Sequence, residues 1–283
     1  MQAADQLPDK ALARRSFEHA AAGYDEVAVL QQEVAQRLLQ RLDLMKLQPR
    51  RVLDLGCGTG QCIPGLMSRY HAADVVALDI AMPMLSRARR RGRWLRKPRC
   101  VCADAERLPF ADASFDLVFS NLMLQWCTDL GRVFAELQRV LRPGGLLLFT
   151  SFGPDTLGEL RDSWAQVDGY THVNAFEDMH DVGDALLKAR FAEPVMDVER
   201  LTLTYPDVWR LMRELKQIGA HNVTAGRPRG LTGKRHMQGL VEAYERFRRD
   251  GVLPASYEIV NGHAWGTDTG DTVSLSIDQL RRI

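Results

Sequence analysis

The sequence predicts an α/β protein on a mostly parallel sheet, with a helical elaboration near the C-terminal end. Three observations carry that expectation. From residue 51 onward, short apolar runs alternate with segments of helical character. The runs are apolar and β-branched nearly throughout, as strands covered on both faces are. The first run, "RVLDLGCGTG" (51–60), passes directly into a glycine-rich turn of the kind that joins a strand to a helix around a ligand.

"RVLDLG" is expected as a strand and residues 60–70 as a helix. "ADVVALDI" (73–80) is a second strand, followed by a helix through "MLSRARRR". "RCVCAD" (99–104), "FDLVFSNL" (115–122) and "GGLLLFTSF" (144–152) supply three more strands, with the helix "DLGRVFAELQRVL" (129–141) between the last two. "LRPGG" reads as a helix exit and a tight turn. Helices are then expected at 155–167, 179–191, 207–220 and 235–251, with strands at 193–205 and 255–266. No internal repeat or linker shows. The expected organisation is an N-terminal helical lid over 1–46, a domain over 47–266 with a helical cap at about 206–250, and a loose tail over 267–283.

A chain of 283 residues can bury a substantial core. Its 37 Lys+Arg against 36 Asp+Glu give bulk electrostatics no case for nucleic acid or membrane binding. No apolar run reaches the roughly 20 residues that span a bilayer, and "MQAADQLPDK" lacks a signal peptide's layout. A cytoplasmic monomer is expected. Five cysteines (Cys57, Cys62, Cys100, Cys102 and Cys127) are an odd number that argues against a disulfide framework. They read as buried thiols, with Cys100 and Cys102 in a buried strand, and no metal is expected.

Gly56, Gly58 and Gly60 give G-x-G-x-G rather than the dinucleotide G-x-G-x-x-G, because position 61 is Gln. No Gly-Lys-Ser/Thr follows, which excludes a P-loop. Asp54, two residues before the first glycine, would repel a pyrophosphate but suits an ammonium group. Asp79 ends the second strand, 23 residues after Gly56, where a carboxylate can accept both ribose hydroxyls. Asp104 ends the third strand, within reach of an adenine's exocyclic amine. Three acids at the carboxyl ends of neighbouring strands converge on a cationic adenosine derivative without phosphate, which fits S-adenosylmethionine.

Across roughly residues 15–265 the chain resembles the class I S-adenosylmethionine-dependent methyltransferases, on "VLDLGCGTG", "ALDIAMPML", "ADAERLPFADASFDLVFSNLMLQW" and "LRPGGLLLFTSFG". The resemblance implies a Rossmann-like, seven-stranded sheet whose last strand is antiparallel. It also adds Met84, Ala105 and Asn121 to the expected cofactor contacts. Within that superfamily, "SFEHAAAGYDEVAVLQ" (16–31), "SNLMLQWCTDL" (120–130), "GPDTLGELRDSWAQVD" (153–168), "HVNAFEDMHDVGDAL" (172–186) and "LKQIGAHNV" (215–223) are similar to the malonyl-acyl-carrier-protein O-methyltransferases of biotin synthesis. Those enzymes methylate the free carboxylate of a malonyl thioester, on acyl carrier protein or coenzyme A. Two other readings remain. "FGPDTLGELR", "YPDVWRLMRELK" and "PASYEI" also resemble complex I assembly factors that hydroxylate an arginine, and a small-molecule methyltransferase is the third class.

A carboxylate acceptor is already ionised at pH 7, so no general base is expected. Tyr24, in the N-terminal segment, is the candidate lid residue and hydrogen-bond donor. An Arg fork is the natural clamp for a carboxylate. Arg227 in "AGRPRG" is the first candidate and Lys216 of "LKQIGA" the second. Gln125 and Trp126 follow the fourth strand, where the acceptor enters in this fold, with Trp126 as a pocket wall. Met82 reads as helix core or cofactor packing, and His172 and His180 as structural or solvent-facing. The segment "RARRRGRWLRKPR" (Arg87 to Arg99) carries eight basic residues and no acid. It is a candidate surface for an acidic acyl carrier protein.

Overall fold

The computed structural model describes residues 7–92, 96–220, 222–224, 227, 230 and 233–268. Seven strands form one sheet: β1 (Arg51–Leu55), β2 (Asp74–Asp79), β3 (Arg99–Cys102), β4 (Phe115–Ser120), β5 (Leu141–Phe152), β6 (Ala192–Tyr205) and β7 (Leu253–Trp265), in the order β3-β2-β1-β4-β5-β7-β6. Pairings among β1 to β5 are parallel, whereas β7 lies antiparallel between β5 and β6. The strand order reverses between β1 and β4, and a sheet of this kind opens its ligand crevice at such a point, beyond the carboxyl ends of the strands.

Alternation along the strands sorts the core. Leu53 and Leu55 of β1 join Leu147 and Phe149 of β5 on one face, under α6 (Leu130–Val140) and α8 (Met179–Lys188). Val52, Leu146 and Leu148 face the other way, against α3 (Val29–Arg41) and α4 (Ile63–Arg69). Both faces are covered, as the apolar runs required. A third cluster unites α3 with α7 (Gly158–Trp164), α9 (Val208–Gln217), α10 (Lys234–Glu245) and the β6–β7 end of the sheet. Asp129 and Asp207 begin α6 and α9 by accepting hydrogen bonds from the N–H groups of Arg132 and Arg210, at 2.9 and 2.8 Å.

Ahead of the sheet lie α1 (Lys10–Ala20), α2 (Tyr24–Val27) and α3, and α5 (Met82–Ala88) follows β2. The "LRPGG" turn sits inside β5. Leu141 pairs with Phe115 and Leu146 with Leu117, so Arg142 to Gly145 bulge out of the ladder. One expectation fails at β3. It is the edge strand and is half-exposed, with Cys102 on the surface, because one of its sides has no neighbour to cover it. Cys57 and Cys62 are buried as expected. Met82 is also exposed, on the outer face of α5. Of the expected tail, Thr267 is tied down by hydrogen bonds with Gln138 and Arg190, while residues 269–283 lie outside the described residues.

Candidate active site

The first glycine of the turn has no room for a side chain. Gly56 takes φ +70°, and a Cβ there would come within 2.1 Å of Met123 Cγ. Its N–H and that of Cys57 both donate to Leu78 O, at 2.8 and 2.9 Å, which folds the turn back over the end of β2. Gly58 takes φ +52° with open space where a Cβ would lie, so bare backbone faces the cleft. Gly60 instead packs against Ile63 and Ala88, away from the cleft lining. It shapes the turn, and the structure does not bring it to the cleft lining with the other two glycines.

The cleft beyond the turn is lined by Gly56, Gly58, Asp79, Met84, Asp104, Ala105 and Asn121, and by Gln125 and Trp126. A contiguous recess adds Asp54 and Cys62 and shares Tyr24, Gly56, Gly58 and Asn121. Of the nine expected cofactor residues, all except Gly60 therefore meet around one space.

Asp54 is the most telling of them. It is 2% exposed, and its Oδ2 has no hydrogen-bond partner. Burial, and then the charge of Asp79, push its carboxyl up to about 7. A buried carboxylate without a partner is unfavourable and is relieved by a cation placed against it. Asp79 differs in kind. Burial pushes it up to about 6, but its oxygens accept from Gly58 N–H at 2.9 Å and Ala81 N–H at 2.8 Å. It is held in place and still has lone pairs aimed at the cleft for diol hydroxyls. Asp104 is bridged by Lys10 Nζ, which lies 2.9 and 2.7 Å from its two oxygens and 2.7 Å from Glu106. The glycine cradle, the orphaned acid and the diol acceptor together fit the amino acid and ribose of S-adenosylmethionine.

Tyr24 enters from α2 and lines both the cleft and its recess. Burial, and then Asp79 and Asp25, push its phenol well above the ordinary range, so it stays protonated and can donate. The next residue, Asp25, accepts from Thr59 Oγ1 at 2.5 Å, from Gln61 Nε2 at 2.9 Å and from the Arg91 guanidinium. These bonds pin α2 to the glycine turn. Asn121 donates to Gln31 O and accepts from Thr150 Oγ1, while Gln125 donates to Leu122 O. Trp126 packs edge-on against Phe17 of α1 at 5.0 Å, so α1 and the segment after β4 wall one side of the cleft. Leu122 between them sits at φ +50°, a conformation uncommon for its type, and is held by Thr150 through two hydrogen bonds to its N–H.

Neither expected carboxylate clamp reaches this space. Lys216 lies on the solvent face of α9, because Val208, Leu211 and Leu215 take the buried face. Arg227 turns its guanidinium back onto Thr224 O at 2.9 Å. Sequence reasoning missed Lys10, the one cation among the described lining residues, which is held by Asp104 and Glu106. Only its place in α1, far from the strand motifs, was visible beforehand. His172 stacks on Trp164 and meets Asp168, and His180 is exposed on α8, so both serve structure or solvent. Among the described residues no cluster of metal ligands occurs.

The basic segment divides. Arg91 is committed to Asp25, Arg96 donates to the carbonyls of Met67, Tyr70 and Ala73 at and beyond the end of α4, and Arg99 pairs with Asp74. Arg89, Arg90 and Lys97 are exposed, and Arg93 to Leu95 lie outside the described residues.

Residues 53–149 match a family described as a methyltransferase domain. The chain is 52% identical to a malonyl-[acyl-carrier protein] O-methyltransferase from Halorhodospira halophila, over 97% of this chain and 96% of that one. It is 54% identical to one from Gallionella capsiferriformans, over 91% of each. Among solved structures, the YcgJ protein of Bacillus subtilis aligns with a TM-score of 0.58 at 18% identity, covering 82% of this chain and 99% of that one. A phosphoethanolamine N-methyltransferase of Haemonchus contortus, solved with S-adenosylhomocysteine, aligns at 0.51 and 20% identity, covering 83% and 52%. These structures share the fold.

Proposed function

Because the chain belongs to the malonyl-[acyl-carrier protein] O-methyltransferase family, we propose that it methylates the free carboxylate of a malonyl group held as a thioester on acyl carrier protein, with S-adenosylmethionine as donor. The product is a methyl ester whose masked carboxylate lets the acyl chain be extended, as in biotin synthesis. The observation that supports the cofactor half is the buried, unpartnered Asp54 Oδ2 beside a bare-backbone turn.

Bound cofactor supplies a methyl group on a positively charged sulfonium. Asp54 would hold its ammonium, Asp79 its ribose hydroxyls and Asp104 its exocyclic amine, while Met84 and Ala105 would pack against its adenine. Residues 7–46 act as a lid whose α2 is fixed by Asp25. The acceptor's carboxylate is ionised at pH 7, since such acids titrate near ~4. The cleft suits an acceptor that needs no base: its described lining holds no histidine, and its two carboxylates are taken up by the cofactor and Lys10. A dry, apolar surround would favour the neutralisation of charge in such a transfer over water. Phe17, Trp126, Phe152 and Ile218 supply that surround. With both expected basic clamps outside, the Tyr24 phenol and the Gln125 amide orient the carboxylate as neutral donors. That arrangement holds the nucleophile without a strong ion pair, which would blunt it.

The test is S-adenosylhomocysteine release with malonyl-carrier, acetyl-carrier and malonyl-coenzyme A as acceptors. Turnover with malonyl-carrier and none with acetyl-carrier is the expected pattern. Equal release with and without acceptor contradicts the reading. The coenzyme A arm fixes the thioester preference.

A further inference from the structure

The outer face of α9 carries Trp209, Arg213 and Lys216 at i, i+4 and i+7, which places them in one line about 10 Å long. All three are exposed, and Trp209 is 47% exposed, an unusual state for the largest apolar side chain. The line has direction. At its start Trp209 joins Met237 and Val241 of α10 in an apolar groove rimmed by Lys234 and Gln238. At its end, α9 runs into Ile218 and Ala220, which line the active-site cleft. Arg210 flanks the line, and Arg235 follows Lys234 on α10. Among the described residues none of these five cations, Arg210, Arg213, Lys216, Lys234 and Arg235, makes an ion pair with a carboxylate, unlike Arg37, Arg41, Arg139, Arg142 and Arg200.

Unpaired cations around an exposed tryptophan match the make-up of protein interfaces, where Trp, Met and Arg are enriched and an apolar centre is ringed by charge. The basic rim requires an acidic partner face. We propose that this α9–α10 face docks the acidic face of the acyl carrier protein, with an apolar side chain of the carrier in the Trp209–Met237–Val241 groove and its acidic residues along Arg213 and Lys216. The inference rests on the carrier-linked acceptor proposed above and assigns the surface that receives it. Docking here sets the carrier beside the Ile218–Ala220 side of the cleft, so that its acyl arm enters without crossing the sheet. The Arg87 to Arg99 segment suits this less well. Arg91 and Arg96 are spent on holding the fold, and Arg99 sits at the opening residue of β3, at the sheet edge remote from the strands' carboxyl ends.

The experiment is steady-state kinetics with malonyl-carrier at several salt concentrations, together with cofactor affinity by calorimetry. Arg213→Glu is expected to raise KM for the carrier roughly tenfold at low salt and to flatten its salt dependence. Trp209→Ala raises KM with the salt dependence kept. In both, kcat at saturation and cofactor Kd stay unchanged, a split that a merely structural lesion would not produce. Arg89→Glu/Arg90→Glu leaves KM within about twofold. An unchanged KM in Arg213→Glu, or a loss carried by Arg89→Glu/Arg90→Glu instead, overturns the proposal. If the unaltered chain releases no S-adenosylhomocysteine with malonyl-carrier, the acceptor reading fails, and the docking face fails with it.

Discussion

Asp54 sets a pH signature for cofactor binding that can be worked from the structure. Burial lifts its carboxyl from the ordinary value of about 4 to about 7, which corresponds to roughly 4 kcal/mol of resistance to ionising in the cofactor-free chain. The cofactor's ammonium needs the ionised form. Below about pH 7, binding must therefore release a proton, and affinity falls as the pH drops. Kd is expected to be about tenfold weaker at pH 6 than at pH 7.5, and about a hundredfold weaker at pH 5. Above roughly pH 8 the ligand's own α-amino group loses its charge, so affinity declines again. Asp54→Asn keeps the shape and removes the charge. It should cost about 3–5 kcal/mol of binding, at least a hundredfold in Kd, and abolish the acid limb. The same substitution acts oppositely on the cofactor-free fold. Because the folded-state value lies above the unfolded one, the wild-type carboxyl drains stability as pH rises from about 4 to about 7. Asp54→Asn removes that drain, so its Tm at pH 8 should equal or exceed the parent's. Calorimetric Kd from pH 5 to 9, with thermal melts of the cofactor-free proteins, reads both. A flat Kd across that range, or tight binding by Asp54→Asn, would refute the reasoning.

Other consequences follow from single contacts. Gly56→Ala drives a Cβ into Met123 and should lower stability by about 1–3 kcal/mol in a thermal melt. Gly58→Ala meets nothing in the fold, so it should lose only about 1–2 kcal/mol from its left-handed backbone while cofactor affinity falls steeply. Gly262→Ala would place a Cβ 2.3 Å from the Phe149 ring, in the middle of the β5–β7 pairing, and is expected to be the most destabilising of the three by denaturant titration. Tyr24→Phe keeps the packing and removes the donor. Its kcat should fall about tenfold or more in a coupled S-adenosylhomocysteine assay with cofactor Kd nearly unchanged, whereas equal loss in both would make Tyr24 a packing residue only.

The parts legible in the sequence were those written in local chemistry. Strands β1, β2, β4 and β5 declared themselves as apolar runs, and Asp54, Asp79 and Asp104 declared themselves by lying at or near the carboxyl ends of the first three strands. Their convergence follows from parallel neighbours ending on one side of the sheet. What depended on helix orientation was not legible. Lys216 follows an apolar pattern whose buried face is set by Val208, Leu211 and Leu215, and that pattern turns the lysine outward. Arg227 depends on a loop whose course no periodicity encodes. Lys10 enters the cleft because α1 folds back across the crevice, a contact 94 residues apart in the chain from Asp104. Cys102 looked buried because its run is apolar, yet position at the sheet edge left it exposed.

The most direct measurement of the central claim is the intact mass of malonyl-acyl carrier protein after incubation with this chain and S-adenosylmethionine. The account predicts a gain of one methyl group, lost on mild ester hydrolysis, absent with acetyl-carrier and absent with the Asp54→Asn chain. An unchanged carrier mass, with cofactor binding intact, would contradict it.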